Sequence, residues 1–424
     1  MQVHLAEHVP KNKRIQLGSY YTPEILVKQV HEFITLYLEN RKIKSIVFDS
    51  AGGCGAFIFG LENHDYRIAD CDLEACKFLK QHFNQHNIFQ TNSLKGVNRN
   101  EYLIPSSAFL IMVGNPPYND TTSEFKNGKK GQNICDDDLY DRDMGISFLK
   151  SYYKLNADVV CVLHPLSYLI KEANFKRLRD FKDNYNLIKG EIFSSALFHG
   201  TGAGKFPILI SLYEKCPDGM TFDYIRNFKF NILGSPKTFV LSDFETTDGY
   251  INKYPPRKND VHKSPIGLYY YSFRDINSLK KNASFFTREH PNGIVVTLEN
   301  LYKYCYLYAF KHLFEPDDAW LYGNLSPIIN AEDVEQNKNL YVLYAIKTNK
   351  VFIEVDNSIL KKIADYYKIK FDGIDDISRV EKIIKDRLSK LIKHKTDREF
   401  IKTDNIKRLQ PTDRFANCSL SESL

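Results

Sequence analysis

The spacing of hydrophobic positions changes about halfway along the chain. Up to Glu214, short β-rich apolar runs alternate with longer segments whose apolar residues recur at helical intervals. Ser45–Phe48, Arg67–Ala69, Phe109–Val113, Ala157–Leu163 and Pro207–Tyr213 read as strands, and Pro23–Leu38, Leu73–His86, Ile146–Tyr153 and Ala173–Tyr185 as helices. Nearly continuous apolar strands separated by amphipathic helices predict a doubly wound α/β fold, a largely parallel sheet covered on both faces. Thr22 stands where an N-cap is wanted, with Pro23 at the first helical position.

After Cys216-Pro217-Asp218-Gly219 the alternation stops, and short strands, aromatic clusters and loops bearing Lys and Arg follow. A boundary is predicted there, with one α/β domain over 1–215 and a mixed α+β domain over 216–424. Near the end, Val380, Ile383, Ile384, Leu388, Leu391 and Ile392 share one face of a helix expected from Ile377 to Lys395. That spacing marks a packing element.

Composition narrows the class. A chain of 424 residues can fill two cores of ordinary size. No apolar run approaches the ~20 residues that span a bilayer, and Met1 to Arg14 lacks the apolar core of a signal peptide, so a cytoplasmic protein without a membrane partner is expected. Eight cysteines occur without a Cys-x-x-Cys pair, which reads as reduced packing thiols. The adjacent acids Asp136, Asp137 and Asp138 read as solvated loop, and no metal site is expected. A formal charge of +6 is compatible with a polyanionic partner without requiring one. The 27 Tyr and 29 Phe suit stacking on bases and equally suit the codon bias of an AT-rich genome.

Three segments carry candidate chemistry. Ser45-Ile-Val-Phe-Asp49-Ser-Ala-Gly52-Gly53-Cys-Gly55-Ala-Phe57 is a strand ending in an acid and then a tight glycine turn, the place where a doubly wound sheet lets a nucleotide-like ligand approach the backbone. The next strand ends at Asp70-Cys-Asp72, where an acid can hold ribose hydroxyls. Asp70 is the favoured ribose ligand, while Asp72 reads equally as the cap of the following helix. The third segment, Phe109-Leu-Ile-Met-Val-Gly114-Asn115-Pro116-Pro117-Tyr118, ends an apolar strand in two prolines that stiffen the loop. The Asn115 carboxamide oxygen and the Pro116 carbonyl can accept the protons of an exocyclic amine, drawing the nitrogen lone pair out of conjugation, and Tyr118 can stack on a planar ring.

On these residues the chain resembles the amino-methyltransferases of DNA, specifically the adenine-N6 methyltransferases, over about its first half. The resemblance implies a Rossmann-like methyltransferase domain followed by a target-recognition domain, the gamma arrangement of motifs. It implies that Asp49, Ala51, Gly53, Gly55 and Phe57 form a loop for S-adenosyl-L-methionine, with Tyr21, Thr22 and Pro23 against the methionine end of that cofactor. Asn115, Pro116, Pro117 and Tyr118 would be the catalytic tetrapeptide, with Asn115 also close to the cofactor. Two positions depart from the family pattern: Asn92 stands where an acid usually accepts from the cofactor's adenine, and Cys54 replaces a small polar residue. By position, Phe198 would share the target base with Tyr118. His164 is expected to be structural, because direct transfer from a sulfonium needs no base before attack.

An adenine amine is hidden within a duplex, so base flipping is implied, with double-stranded DNA as partner. Lys126, Lys129 and Lys130 in a glycine-containing loop, Lys205, and then Arg257, Lys258 and Arg274 are the candidate DNA contacts. The aromatics Tyr269, Tyr270, Phe285 and Phe286 lie among further cations at Lys263, Lys280, Lys281 and Arg288. A separate restriction endonuclease acting on the same site would fit such an enzyme. The same tetrapeptide chemistry also serves methylation of RNA adenine or of a protein glutamine.

Overall fold

The computed structural model describes residues 22–39, 41, 43–61, 63–118, 135–198, 205–255, 263–369 and 377–402, with side chains of the last helix up to residue 392. By its contacts the chain divides into two compact units. The first comprises Met1–Ser242, Asp275–Ser278 and Asp317–Ser326, and the second Asp243–Arg274, Leu279–Pro316 and Pro327–Leu424.

The first unit is built on a sheet of nine strands among the described residues, in the order β3-β2-β1-β4-β5-β7-β6-β8-β9. These are β1 (Ser45–Asp49), β2 (Asp65–Asp70), β3 (Ile88–Gln90), β4 (Phe109–Gly114), β5 (Val159–Pro165), β6 (Tyr185–Ser194), β7 (Pro207–Lys215), β8 (Phe230–Ile232) and β9 (Ser235–Phe239). From β3 through β5 neighbouring strands run parallel, and β7 is antiparallel to both β5 and β6. β1 and β5 are buried along their whole length, which is why they read as unbroken apolar runs. This is the doubly wound Rossmann-like α/β architecture that the alternation predicted, and strand order reverses between β1 and β4.

Helices α1 (Glu24–Leu38), α2 (Leu73–His82) and α3 (Met144–Lys154) flank these strands in the chain. α1 buries Leu26, Val30, Phe33 and Ile34 in one cluster with Val47, Ile111, Val113, Cys161 and Ile210. The alternate residues Phe48, Leu110, Met112, Val160 and Val162 are buried on the opposite face.

Three sequence expectations change here. The helix expected over Ala173–Tyr185 is two short helices, Glu172–Arg177 and Asp180–Asn184, broken at Arg179, whose φ is 48°. β6 follows directly, and its mixture of Asn186, Lys189, Gly190 and Glu191, with an irregular register between Leu187 and Lys189, hid its period of two. The break expected between 215 and 216 falls inside the first unit, because β8 pairs with β6 and β9 with β8. The contact boundary lies after Ser242.

The second unit contains a small antiparallel sheet of β10 (Tyr269–Tyr271), β11 (Phe285–Phe286) and β12 (Gly293–Val295), with β10 in the middle. Its central helix, α4 (Leu301–Leu313), is buried on nearly every side and packs with α5 (Lys338–Thr348) and α6 (Ile377–Lys402). The face expected on α6 is real for Val380, Ile384 and Leu388, while Ile383 stands 38% exposed at its edge. Among the described residues no helix is long and apolar enough to cross a membrane.

Candidate active site

Parallel register delivers the site. Asp49 pairs with Ile68 on one side and with Val113 on the other, so β1, β2 and β4 bring Asp49, Asp70 and Gly114 to the same edge of the sheet. This edge holds the carboxyl ends of the strands, at the point where their order reverses, and such crevices are where open α/β sheets take ligands.

The segment after β1 runs as consecutive turns through Gly60 rather than as a helix. Asp70 organises it: one carboxylate oxygen accepts from the Gly53 amide at 2.8 Å and the other from the Asp72 amide at 2.8 Å. Asp49 Oδ1 accepts from the Ala51 amide at 3.1 Å. Gly55 is at φ 75°, where a Cβ would lie 2.5 Å from the Phe83 ring, so the turn closes only with glycine. At Gly53 a Cβ would meet nothing within 4 Å, so this turn borders open space.

The two acids are electrostatically unsettled. Burial pushes the Asp49 carboxyl up to about 7, against the pull of the Ala51 amide, and neighbouring Asp70 raises it further. Burial also raises Asp70, opposed by the amides of Asp72 and Gly53. Neither acid has an ion pair among the described residues. A ligand offering hydroxyls and positive charge would satisfy both.

Gly114 carries the chain out of β4 with φ 145°, and a Cβ there would sit 2.9 Å from Asp49 Oδ1. The loop can therefore leave the sheet against the Asp49 carboxylate only through glycine. Next comes Asn115, half-buried, whose Nδ2 donates to Thr22 Oγ1 at 3.3 Å. The Tyr118 hydroxyl donates to Asn115 Oδ1 and lies 3.1 Å from the Leu163 carbonyl. Both ends of the Asn115 carboxamide are thus held, and its oxygen retains a second lone pair for an incoming N–H. Pro116 is buried and Pro117 partly so, and burial drives the Tyr118 hydroxyl far above its ordinary pKa.

Behind the tetrapeptide stand residues that no motif pointed to. At the start of α3 a Cβ on Gly145 would lie 2.5 Å from the Tyr168 hydroxyl and 3.3 Å from Tyr118 Cδ1, so backbone and both rings are in close contact. Tyr168 donates to Asp143, whose side chain also caps α3 through the Gly145 amide at 3.1 Å. Burial lifts Asp143 to about 6, opposed by the Tyr168 hydrogen bond. Tyr152 is buried with its hydroxyl 3.5 Å from Ser50 Oγ. An aspartate before a helix signals a cap in any sequence, so its placement beside Tyr118 carries no local signature.

Several expected site residues take other positions. Phe57 is 3% exposed in the core cluster and Phe198 is 4% exposed, packed edge-on against Phe193 with ring centres 5.8 Å apart. Their apolar rings are drawn into the sheet core that also packs Tyr118. Asp72 caps α2, accepting from the Glu74 amide at 3.0 Å. Asn92 turns the chain by accepting from the Leu94 amide at 3.0 Å. Pro23 is half-buried beside Thr22, and Ala51 half-buried in the glycine loop. His164 is fully buried, 2.7 Å from the Tyr213 hydroxyl and stacked on Tyr168, and burial lowers it to about 4, as suits a structural imidazole. Lys205 and Arg274 are exposed. Tyr21, Lys126, Lys129, Lys130, Arg257 and Lys258 lie outside the described residues. In the second unit Tyr269, Tyr270 and Phe285 are buried: Tyr270 and Phe285 share one face of the small sheet, and Tyr269 lies on the other against Phe286. Among the described residues no cluster suited to a metal occurs.

No protein-family profile and no curated sequence matches the chain. Solved structures are similar to it at low identity. The type I restriction enzyme EcoKI M protein is 14% identical, with 92% of this chain and 75% of that one covered and a TM-score of 0.36. The methyltransferase subunit of a type I restriction-modification system from Streptococcus thermophilus is 15% identical, covering 52% and 49%, with a TM-score of 0.34. The Mtq2-Trm112 complex of E. cuniculi, responsible for methylating the eRF1 translation termination factor, is 17% identical over 46% and 99%, with a TM-score of 0.29. At these TM-scores the architecture rests on the chain's own strand order and the chemistry on its own site.

Proposed function

We propose that the chain is an S-adenosyl-L-methionine-dependent methyltransferase that modifies N6 of adenine at a specific sequence in double-stranded DNA. The observation that carries this reading is the Asn115 carboxamide, held at both ends where β4 leaves the sheet, beside the glycine loop with buried Asp49 and half-buried Asp70. The donor set fits the cofactor: the open edge at Gly53 leaves room for it, Asp70 oxygens have lone pairs left for ribose hydroxyls, and the uncompensated acids suit its positive charges. When bound, the cofactor supplies an electrophilic methyl group on a sulfonium.

The chain's own groups would do the rest. Asn115 Oδ1 and the Pro116 carbonyl accept the two N–H bonds of the flipped adenine amine and localise its lone pair on nitrogen. The nitrogen lone pair would then take up the methyl group that the cofactor supplies, its S–C electrons staying with sulfur, and one amine proton would leave to solvent. Half-buried, neutral Tyr118 would offer its ring to the base, and Phe198 would face it only after leaving its contact with Phe193. The second unit reads the target sequence, with exposed Arg274 among its phosphate contacts, and exposed Lys205 of the first unit is a further phosphate contact. A separate endonuclease sharing the site would make the chain the modification half of a restriction-modification pair.

The test is incubation with methyl-labelled cofactor and parallel duplex DNA, RNA and release-factor substrates, followed by nucleoside and peptide analysis. Label in N6-methyladenine of DNA is the expected result. Label only in RNA adenine or in a protein glutamine would overturn the substrate assignment and keep the chemistry.

A further inference from the structure

A threonine followed by proline at the head of a helix ordinarily spends its hydroxyl as the N-cap. Here it does not. The cap position of α1 is Pro23, and no side chain caps the helix. The Pro23 carbonyl receives the Leu26 and Val27 amides, and Glu24 supplies the only negative charge of the first turn. Thr22, 6% exposed, instead accepts from Asn115 Nδ2, 93 residues away in sequence. The helix forgoes a cap worth about 1 kcal/mol.

The geometry points to Thr22 as the positioning residue that holds the Asn115 carboxamide in place for the substrate, an assignment that rests on the methyl-transfer reading above. The two ends of a carboxamide have nearly the same shape and opposite hydrogen-bonding character. With Nδ2 pinned to Thr22, Oδ1 is the end turned to Tyr118 and to an incoming amine. A flipped amide would present N–H groups to the N–H groups of the substrate and localise no lone pair. Thr22 acts before any base arrives, and the resemblance that placed it against the methionine end of the cofactor does not require this contact.

The test compares Thr22→Val, which keeps the shape and loses the acceptor, with Thr22→Ser, which keeps the acceptor. On whichever substrate the wild-type protein methylates, Thr22→Val should lower kcat about tenfold, roughly the effect of one lost hydrogen bond. Any change in its cofactor dissociation constant should be smaller than the loss in kcat, and Thr22→Ser should recover most of the rate. An unchanged kcat in Thr22→Val, a loss confined to cofactor affinity, or a failure of Thr22→Ser to rescue would each overturn the assignment. Independently of turnover, the Asn115 side-chain NH2 resonances, identified by their absence in Asn115→Ala, should shift in Thr22→Val and hold in Thr22→Ser. If the wild-type protein methylates nothing in the panel, the functional reading fails alone, and the NH2 resonances still decide the contact, with no shift refuting it.

Discussion

The strand ends around Asn115 and the helical core around Tyr304 both bury polar side chains, and they dispose of them in opposite ways. In the second unit, four tyrosine hydroxyls end on backbone oxygens or a shared acid, while that of Tyr270 is buried without a hydrogen-bond partner among the described residues: Tyr304 donates to Asn252 at 3.2 Å, Tyr306 to Ile328, Tyr367 to Leu298, and Tyr250 to Glu335 at 2.5 Å. Burial with a partner lets an aromatic contribute apolar area while its hydroxyl stays satisfied. At the strand ends, buried Asp49 and half-buried Asp70 have backbone amides as their hydrogen-bond partners among the described residues, and α1 begins without a side-chain cap. One region is arranged for stability, and the other holds groups in readiness at some cost to it.

That contrast is sharpest at Asn115. Replacing it with alanine should lower methyl transfer on the order of 10³-fold, the scale of losing one preorganised polar contact at the reacting atom, with the melting temperature nearly unchanged. A transfer rate near that of the wild type would break the catalytic assignment.

The mirror-image change is Phe310→Ala in the second unit. Phe310 is fully buried in α4, stacked on Phe314 with ring centres 4.2 Å apart. Its truncation should cost roughly 3–5 kcal/mol in chemical denaturation. Cofactor affinity per folded molecule should hold, and a selective loss of that affinity would mean the two regions are not separable.

Asp49 ties stability to pH. Its carboxyl is raised to about 7 in the folded chain and lies near its ordinary value when unfolded, so between these values the folded state binds the extra proton. Its contribution is full below about pH 4 and is lost as pH rises to about 7, with a slope of at most about 1.4 kcal/mol per pH unit. Asp49→Asn should flatten that stretch of the pH-stability curve measured without cofactor, and an unaltered slope would remove Asp49 as its source.

The smallest effect is expected at Asp72. Removing its cap in Asp72→Ala should cost about 1 kcal/mol of stability and leave cofactor affinity within about twofold. A larger affinity loss would return Asp72 to the ribose site.

Much of this was legible along the chain, for reasons that differ by residue. β1, β4 and β5 were visible because strands buried on both faces must be apolar throughout. Gly53, Gly55 and Asn115 stood out because turn and tetrapeptide chemistry is local. β6 was hidden by its polar residues and its irregular register, and β3 by its brevity. The burial of Tyr269, Tyr270 and Phe285 among neighbouring cations was not legible, because composition does not distinguish an aromatic facing solvent from one facing a core.

What the sequence determined by itself is therefore the alternation that makes a doubly wound sheet, the glycine turn, and a rigid Asn-Pro-Pro-Tyr loop at the end of an apolar strand. Only the tertiary structure decided that Thr22 leaves its helix uncapped to hold Asn115, that Gly114 must yield to Asp49, and that Asp143 and Tyr168 stand behind Tyr118. Propensity and periodicity are properties of neighbours in the chain, whereas these contacts arise where parallel strands bring distant residues to one edge, and no local pattern records which of them will meet.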